Sequence, residues 1–192
     1  KGLKKLASIP KTPVQAVFFI TFVAVIVDWL NWGFGLIVSA ILAKEIAKQV
    51  KKVDYRLLIA ASYSGFVVWH GGISGSVPLT VAAVTEAVTA QTNGVLTESL
   101  PVSITVFSPW NLAISAAILV ILPLLNAKMH PAPEEVVAVD PALLVDEEIQ
   151  VKKPETPAEK LENSFIMSGL IVLIGAAYII QLIVSGSFEL SL

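Results

Sequence analysis

Two clusters of basic residues flank the first apolar stretch of the chain, and their positions restrict how that stretch can fold. The first cluster ends at Lys11 and the second begins at Lys44. Lys and Arg concentrate on the cytoplasmic side of membrane proteins. A single crossing helix would separate the two clusters, whereas a stretch that folds back lets all thirteen Lys and Arg residues share one side. We therefore predict a re-entrant helical hairpin over 12–50 with its tip at 28–35. A long tilted or kinked helix is the alternative.

The predicted hairpin places polar groups at membrane depth. Its tip reads DWLNWGFG, and polar groups inside a bilayer are costly and usually functional. Each arm would hold about 10–15 residues, which is short for a full crossing of the hydrocarbon core. The hairpin therefore predicts a membrane protein with a functional site at the bend.

The composition of the 192-residue chain also indicates a membrane protein. Hydrophobic residues make up 55% and charged residues 15%, whereas soluble domains are about 25% charged. The absence of cysteine excludes disulfides, thiol catalysis and Cys-based metal sites. A net charge of −2 gives no reason to expect a nucleic-acid partner. We expect no cofactor and no metal centre.

A second interruption occurs in the next apolar segment. We predict a transmembrane helix over 54–84 that breaks at 70–78, where HGGISGSVP contains three glycines, two serines and a proline. Such irregular backbone is tolerated at membrane depth only where it is buried in protein or lines a watery cavity. Pro78 suits the first turn of the second half-helix, and Ser76 is its candidate cap.

The other segments complete an all-α integral membrane protein with two further spanning helices. The loop over 85–109 has no Lys or Arg and is predicted to be periplasmic. Transmembrane helices are predicted over 110–127 and 164–185, and a Pro- and Glu-rich cytoplasmic linker over 128–163 joins them. The chain begins with Lys rather than Met, so we expect 1–192 to be a single membrane-domain fragment of a longer protein.

The two interruptions supply the candidate binding residues. Broken helices that face a shared cavity form the binding sites of many secondary transporters. The N-terminus of a half-helix favours a carboxylate, because it presents free N–H groups and a positive dipole end. Backbone carbonyls and Asn or Ser oxygens suit Na⁺ instead. The predicted substrate-binding residues are Ser74, Gly75, Ser76, His70, Gly71, Gly72, Trp69 and Trp32. The predicted coupling-ion residues, for H⁺ or Na⁺, are Asn31, Asp28, Gly33 and Ser64.

Each candidate residue also has a structural interpretation. Asn31 can cap the second arm of the hairpin, and Ser74 and Ser76 can cap a half-helix. Asp28 can lie near an interface or in a structural pair. His70 is a candidate for proton coupling because histidine is the side chain whose charge ordinarily changes near physiological pH, but a neutral, hydrogen-bonded histidine is the commoner outcome. The glycines permit the backbone path, and the tryptophans either line a cavity or pack between helices.

Four stretches of the chain carry a family resemblance. They are WLNWGFGLIVSAILAKEIAKQV, DYRLLIAASYSGFVVWHGGISGSVPLT, SPWNLAI and ENS…GLIVLIGAAYIIQ…GSFELSL. Together they resemble the bacterial short-chain fatty acid transporter family (the AtoE family), and WHGGISGS is the most specific match. The family more often has a small polar residue in place of Asp28.

The resemblance implies a multi-pass carrier in the bacterial inner (cytoplasmic) membrane. Its substrates would be short-chain fatty acids or related monocarboxylates such as butyrate or acetoacetate. Symport with H⁺ or Na⁺ bound near Asn31 and the break is our own hypothesis from the polar residues there. The resemblance also implies membership of the broader ion transporter superfamily, whose members pair re-entrant hairpins and broken helices in an inverted repeat. This chain would then be one repeat. Its partners would be the substrate, the lipid bilayer, the remaining half of the transporter and a second copy in a homodimer.

Other functions compete with a carrier. WHGG followed by serines is similar to the oxyanion-hole motif of esterases, but no G-x-S-x-G nucleophile elbow is present. We therefore do not expect an enzyme. A channel or facilitator remains an alternative because re-entrant loops also build selectivity filters, and an accessory membrane subunit is another.

Overall fold

A computed structural model describes residues 2–83, 86–144 and 156–184, and within them the chain is helical without β-strands. The α-helices are α1 (Gly2–Ala7), α2 (Pro13–Leu30), α3 (Trp32–Gln49), α4 (Tyr55–Ser64), α5 (Ser76–Ala82), α6 (Glu86–Gln91), α7 (Pro109–Lys128), α8 (Pro157–Glu162) and α9 (Phe165–Val184). Three short 3₁₀-helices cover Gly65–Gly71, Val102–Ile104 and Pro141–Leu144. The chain forms two compact units, Lys1–Val145 with Leu192 and Asp146–Ser191. All predicted site residues belong to the first unit.

Helix α2 begins at a capping box and ends at a single extended residue. The Thr12 hydroxyl accepts a hydrogen bond from the Gln15 N–H at 3.3 Å, and the Gln15 side chain accepts one from the Thr12 N–H at 3.3 Å. Pro13 occupies the first turn, where a missing N–H costs nothing. Asn31 ends α2 with φ −155° and ψ 110°, and the same residue is the N-cap of α3.

Helix α3 folds back along α2. Ala16, Val17 and Ile20 of α2 share one fully buried core with residues from the far half of α3. Leu42 and Ile46 are the largest α3 members of that core. The chain therefore reverses direction at Asn31 and does not continue as one long helix. Each arm has 18 residues, or about 27 Å at 1.5 Å per residue, so the predicted arm length of about 10–15 residues is too short.

The basic residues of the first unit gather at the hairpin base, which is the end where α2 begins and α3 ends. Helix α1 packs against α3, and the Gln49 amide donates to the Lys4 carbonyl at 3.1 Å. Lys128, at the end of α7, lines a groove together with Val14 near the start of α2. The fold thus brings basic residues from α1, α3, α4 and α7 to one end, as the hairpin prediction requires.

Helix α4 gives way to a tighter helix earlier than predicted. The α-helical part ends at Ser64, and a 3₁₀-helix covers Gly65–Gly71. A Cβ atom on Gly65 would lie 2.5 Å from the backbone carbon of Ala24. This close approach to α2 needs a glycine and marks the place where the helix geometry changes.

The helix break lies between the 3₁₀-helix and α5. Residues 72–75 are not helical, and α5 starts at Ser76. Gly75 occupies the N-cap position without a side-chain cap bond, so the prediction that Ser76 is the cap is wrong. Pro78 lies in the first turn of α5, where proline is tolerated.

Three segments of the described chain are long and apolar enough to cross a membrane. They are Pro13–Leu30, Tyr55–Ala82 (which includes the break) and Pro109–Lys128. In the second unit, the apolar stretch Phe165–Gln181 falls just short of that length among the described residues. An all-α protein with membrane-length helices is therefore confirmed.

Candidate functional site

The hairpin tip and the helix break are in direct contact. The Trp32 N–H donates a hydrogen bond to the Ser74 hydroxyl at 3.1 Å, and the Ile73 N–H donates to the Trp29 carbonyl at 2.9 Å. A Cβ atom on Gly72 would overlap the Trp29 carbonyl oxygen. The structure thus joins the two interruptions singled out in the sequence, and Gly72 is the residue that permits the approach.

The tip of the hairpin is the N-terminus of α3, and its N–H groups are only partly paired. The Asn31 side chain accepts from the Phe34 N–H at 2.9 Å, and Ser74 accepts from the Trp32 N–H. In the described part of the protein, the Gly33 N–H has no acceptor and the Ser74 O–H has no acceptor of its own. Two donors therefore remain available at the positive end of an 18-residue helix.

Aromatic rings cover one side of this junction. The Trp32 and Trp69 centroids are 5.1 Å apart, Phe66 and Trp69 are 4.9 Å apart, and His70 stacks on Trp69 at 4.2 Å. The Trp69 indole N–H also donates to the Ser74 carbonyl at 3.2 Å. The rings therefore pack on one another and on the break, and Trp32 still has 40% of its surface exposed.

Asn111 braces the break from α7, and the sequence analysis missed it. Its side-chain amide donates to the Gly71 carbonyl at 2.8 Å and to the Val106 carbonyl at 2.7 Å. Both carbonyls lie in non-α-helical backbone, which needs such partners away from water. The position of Asn111 inside SPWNLAI, one of the family-like stretches, was the available signal.

The predicted coupling-ion residues do not all lie together. Asn31 and Gly33 are at the tip, and Asp28 lies one turn back on α2, fully buried. Ser64 is elsewhere, because its hydroxyl accepts from the Asn126 amide at 2.9 Å. The same amide donates to Thr21 at 3.1 Å, which is about 10 Å along α2 from Asp28.

The hairpin base has its own polar contacts. The buried Asp54 carboxylate caps α4 by accepting from the Leu57 N–H at 3.0 Å, and it also accepts from the Val137 N–H at 2.9 Å. The Arg56 guanidinium, which donates to Asp54 at 2.9 Å, is the largest cause that holds the pKa of this carboxyl well below its usual value. The His130 ring accepts from the Asp54 N–H at 3.2 Å. The start of the predicted linker is thus bound to the base.

Comparison with known proteins gives the family. A family model described as short chain fatty acid transporter matches residues 1–192. The chain belongs to the short-chain fatty acid transporter family. The resemblance predicted from the sequence is therefore confirmed at the level of the family.

Two relatives are named as candidate short-chain fatty acid transporters. The protein from Escherichia coli (strain K12) is 39% identical over 193 residues, which cover 99% of this chain and 43% of the relative. The protein from Haemophilus influenzae (strain ATCC 51907 / DSM 11121 / KW20 / Rd) is 36% identical over 200 residues, which cover 100% of this chain and 44% of the relative. The chain thus spans less than half the length of these relatives. No solved structure matches it. The relatives are named as transporters, in agreement with the prediction that this chain is not an enzyme.

Proposed function

We propose that this chain is part of a secondary active transporter of short-chain fatty acids or related monocarboxylates of the size of butyrate or acetoacetate. The observation that carries the proposal is the contact between the hairpin tip and the helix break. That contact leaves two hydrogen-bond donors, the Gly33 N–H and the Ser74 O–H, beside a cluster of aromatic rings. A small organic anion needs those two features together.

The carboxylate group of the substrate binds at the N-terminus of α3. Gly33 lies close to Ser74, because the Ser74 hydroxyl accepts a hydrogen bond from the N–H of Trp32, which is the residue before Gly33. A carboxylate oxygen accepts a hydrogen bond from each, and the dipole of the long helix adds to the attraction. Asn31 positions this end as the cap, and Gly72 lets the break approach it.

The short acyl chain packs against the aromatic cluster of Trp32, Phe66 and Trp69. Trp69 is hydrogen-bonded to the Ser74 carbonyl, so the apolar surface begins next to the carboxylate donors. The exposed part of Trp32 supplies area for a chain of a few carbons. The other predicted substrate-binding residues lie in the helix break or next to it, namely His70, Gly71, Gly75 and Ser76.

The hairpin enters the bacterial inner membrane from the cytoplasm and places its tip within the bilayer. The basic end formed by α1, the end of α3 and the start of α4 faces the cytoplasm. The last two turns of α3 contain Lys44, Glu45 and Lys48, which suits them to the membrane surface. The relatives are more than twice as long as this chain, which leaves room for a second, inverted repeat that completes the cavity.

Transport is coupled to a gradient of H⁺ or Na⁺ acting near the hairpin tip. Asn31 and Asp28 are the coupling residues on this proposal, whereas Gly33, which was predicted with them, donates its N–H to the substrate carboxylate. Ser64 belongs with Thr21 and Asn126 in a hydrogen-bonded contact between α2, α4 and α7, so its part is structural.

The test uses the full-length protein reconstituted into liposomes. A carrier shows saturable counterflow of labelled butyrate against unlabelled butyrate, whereas a channel shows ion current without exchange. Protein-free liposomes correct for diffusion of the uncharged acid. Counterflow that does not saturate, or none at all, refutes the carrier.

Ser74→Ala tests the carboxylate site within the same assay. Loss of one hydrogen bond to a charged group costs about 1.5–3 kcal/mol, so the apparent KM for butyrate should rise about tenfold or more. Ser74→Thr keeps the hydroxyl and should stay near the wild-type value. Ser8→Ala, whose hydroxyl donates to the Lys5 carbonyl at the hairpin base, is the control for loss of a serine far from the site. Equal KM values for Ser74→Ala and Ser8→Ala contradict the assignment.

A further inference from the structure

Asp28 is a buried carboxyl group without a partner. Its side chain is 0% exposed, and in the described part of the protein neither carboxylate oxygen receives a hydrogen bond. An ionised carboxylate in such surroundings is strongly disfavoured. The group must therefore be neutral or bind a cation in this conformation.

Among the residues that the structure describes, the packing around Asp28 offers no positively charged neighbour. The titratable or charged side chains on the helices packed against α2 are Lys44, Glu45 and Lys48 on α3, Tyr55, Arg56 and Tyr63 on α4, His70 on the 3₁₀-helix and Lys128 on α7. Gly35 is the α3 residue that faces Asp28. Lys44 is the first cation after it on α3, and the helix rises about 13 Å between the two. His70 is exposed and its ring stacks on Trp69.

The surroundings suit a proton better than Na⁺. The carboxylate lies between α2 and α3 and is pressed against Gly35, with the Asp28 Cγ only 2.8 Å from where a Cβ would be. The carboxylate packs directly against α3 at Gly35, whereas a metal ion there would need a cage of several oxygen ligands around it. A proton needs no such cage.

The carboxyl group also lies next to the contact that would have to open during transport. Trp29, the residue after Asp28, accepts the hydrogen bond from Ile73, and Trp32 donates to Ser74 across the same junction. Separation of the tip from the break would therefore disturb the packing that keeps Asp28 away from water. Substrate binding at Ser74 acts on this same junction.

We propose that Asp28 is the proton-carrying group of the transporter, protonated while the tip and break are in contact and deprotonated when they separate. The inference rests on the proposed function and adds the coupling ion. The carboxylate takes up its proton from water on the side where the substrate enters. The O–H bond breaks when the junction opens to water on the other side, and the proton leaves there with the substrate. One proton moves with one monocarboxylate anion, so each cycle transfers no net charge.

The transport test compares wild type with Asp28→Asn in the full-length protein in liposomes, with protein-free liposomes as background. In the wild type, a proton gradient directed inward (acidic outside) drives accumulation of labelled acetoacetate. Replacing Na⁺ by choline or setting a membrane potential leaves that accumulation unchanged. Asp28→Asn still shows saturable counterflow at equal pH, but its accumulation ratio falls to about one. Ser39→Ala is the matched control, because Ser39 is also buried and unpartnered on the hairpin interface but does not titrate. It retains pH-driven accumulation.

A spectroscopic measurement reads the proton without relying on transport. Infrared difference spectra of wild type and Asp28→Asn should show the carbonyl stretch of a protonated carboxylic acid in the wild type alone. Its absence overturns the inference, as does full pH-driven accumulation in Asp28→Asn. Asp28→Ser is a second variant in case the first folds poorly, and loss of counterflow in both also overturns it. A wild type without counterflow refutes the proposed function instead, and the infrared band then still decides whether Asp28 is protonated.

Discussion

Replacing Gly35 with alanine should separate the two arms of the hairpin. A Cβ atom on Gly35 would overlap Oδ1 of Asp28 and lie 2.8 Å from both Cγ and the backbone nitrogen of that residue. The side chain could rotate away, but the backbone nitrogen moves only if α2 itself moves. The substitution therefore forces a shift between two helices.

The size of the effect follows from two opposing terms. Overpacking a close helix contact costs about 1–3 kcal/mol, and the better helix propensity of alanine returns about 1 kcal/mol. Because the close atom belongs to helix backbone, we expect the cost to lie near the top of its range. The net loss of stability for Gly35→Ala is then about 1–2 kcal/mol.

Gly33→Ala is the matched control, two residues away in the same helix. Its Cβ would meet only the Asn31 Oδ1, at the ordinary contact distance of 3.7 Å. It should gain up to about 1 kcal/mol from helix propensity. Thermal unfolding of the purified full-length protein in detergent compares the two variants. If Gly35→Ala is as stable as Gly33→Ala, the close contact between the arms at Asp28 is refuted.

Two further predictions concern the break and the hairpin base. Asn111→Ala should destabilise the protein by about 1–3 kcal/mol, because it leaves the Gly71 and Val106 carbonyls without their donor. Thermal unfolding measures the loss, and Asn163→Ala, at an exposed asparagine in the second unit, is the control. The Asp54 carboxylate stabilises the fold at neutral pH, since its pKa is lowered from the ordinary value of 3.8. That stabilisation should decline as the pH falls below about 4, whereas Asp54→Asn should not show this decline, and unfolding measured across a pH series distinguishes the two.

The distribution of charge and of helix-breaking residues predicted the main features of the first unit. The positions of Lys11 and Lys44 favoured a stretch that folds back over a single long helix, and Asn31 was already a candidate cap for the second arm. The glycines and serines after His70 predicted the break. These features are local, so sequence patterns can show them.

The parts that the sequence did not predict depend on contacts between distant residues. Gly65 begins the 3₁₀-helix at its close approach to Ala24 of α2, and no local pattern indicates that approach. Asn126 joins Ser64 to Thr21 across 62 and 105 residues of sequence. Ser64 was assigned to the ion site because it lies on the first half-helix, but it shares the Asn126 amide with Thr21, about 10 Å along α2 from Asp28.

The assignment of hydrogen bonds at the junction likewise depends on tertiary packing. Sequence reasoning made Ser76 the cap of α5, but no side chain caps that helix. Ser74 instead accepts a hydrogen bond from the Trp32 N–H in the first turn of α3, a helix that ends 25 residues before Ser74 in the chain. The sequence near a helix start does not show whether a serine there hydrogen-bonds its own helix or a distant one.

Cysteine accessibility tests the central claim, that the first apolar segment turns back within the membrane and meets the break. The chain has no cysteine, so Lys11→Cys, Lys44→Cys and Thr92→Cys each give a single label site in this segment. In oriented membranes containing the full-length protein, a membrane-impermeant maleimide should label positions 11 and 44 from the cytoplasmic side only and position 92 from the periplasmic side only. Labelling of positions 11 and 44 from opposite sides would contradict the account.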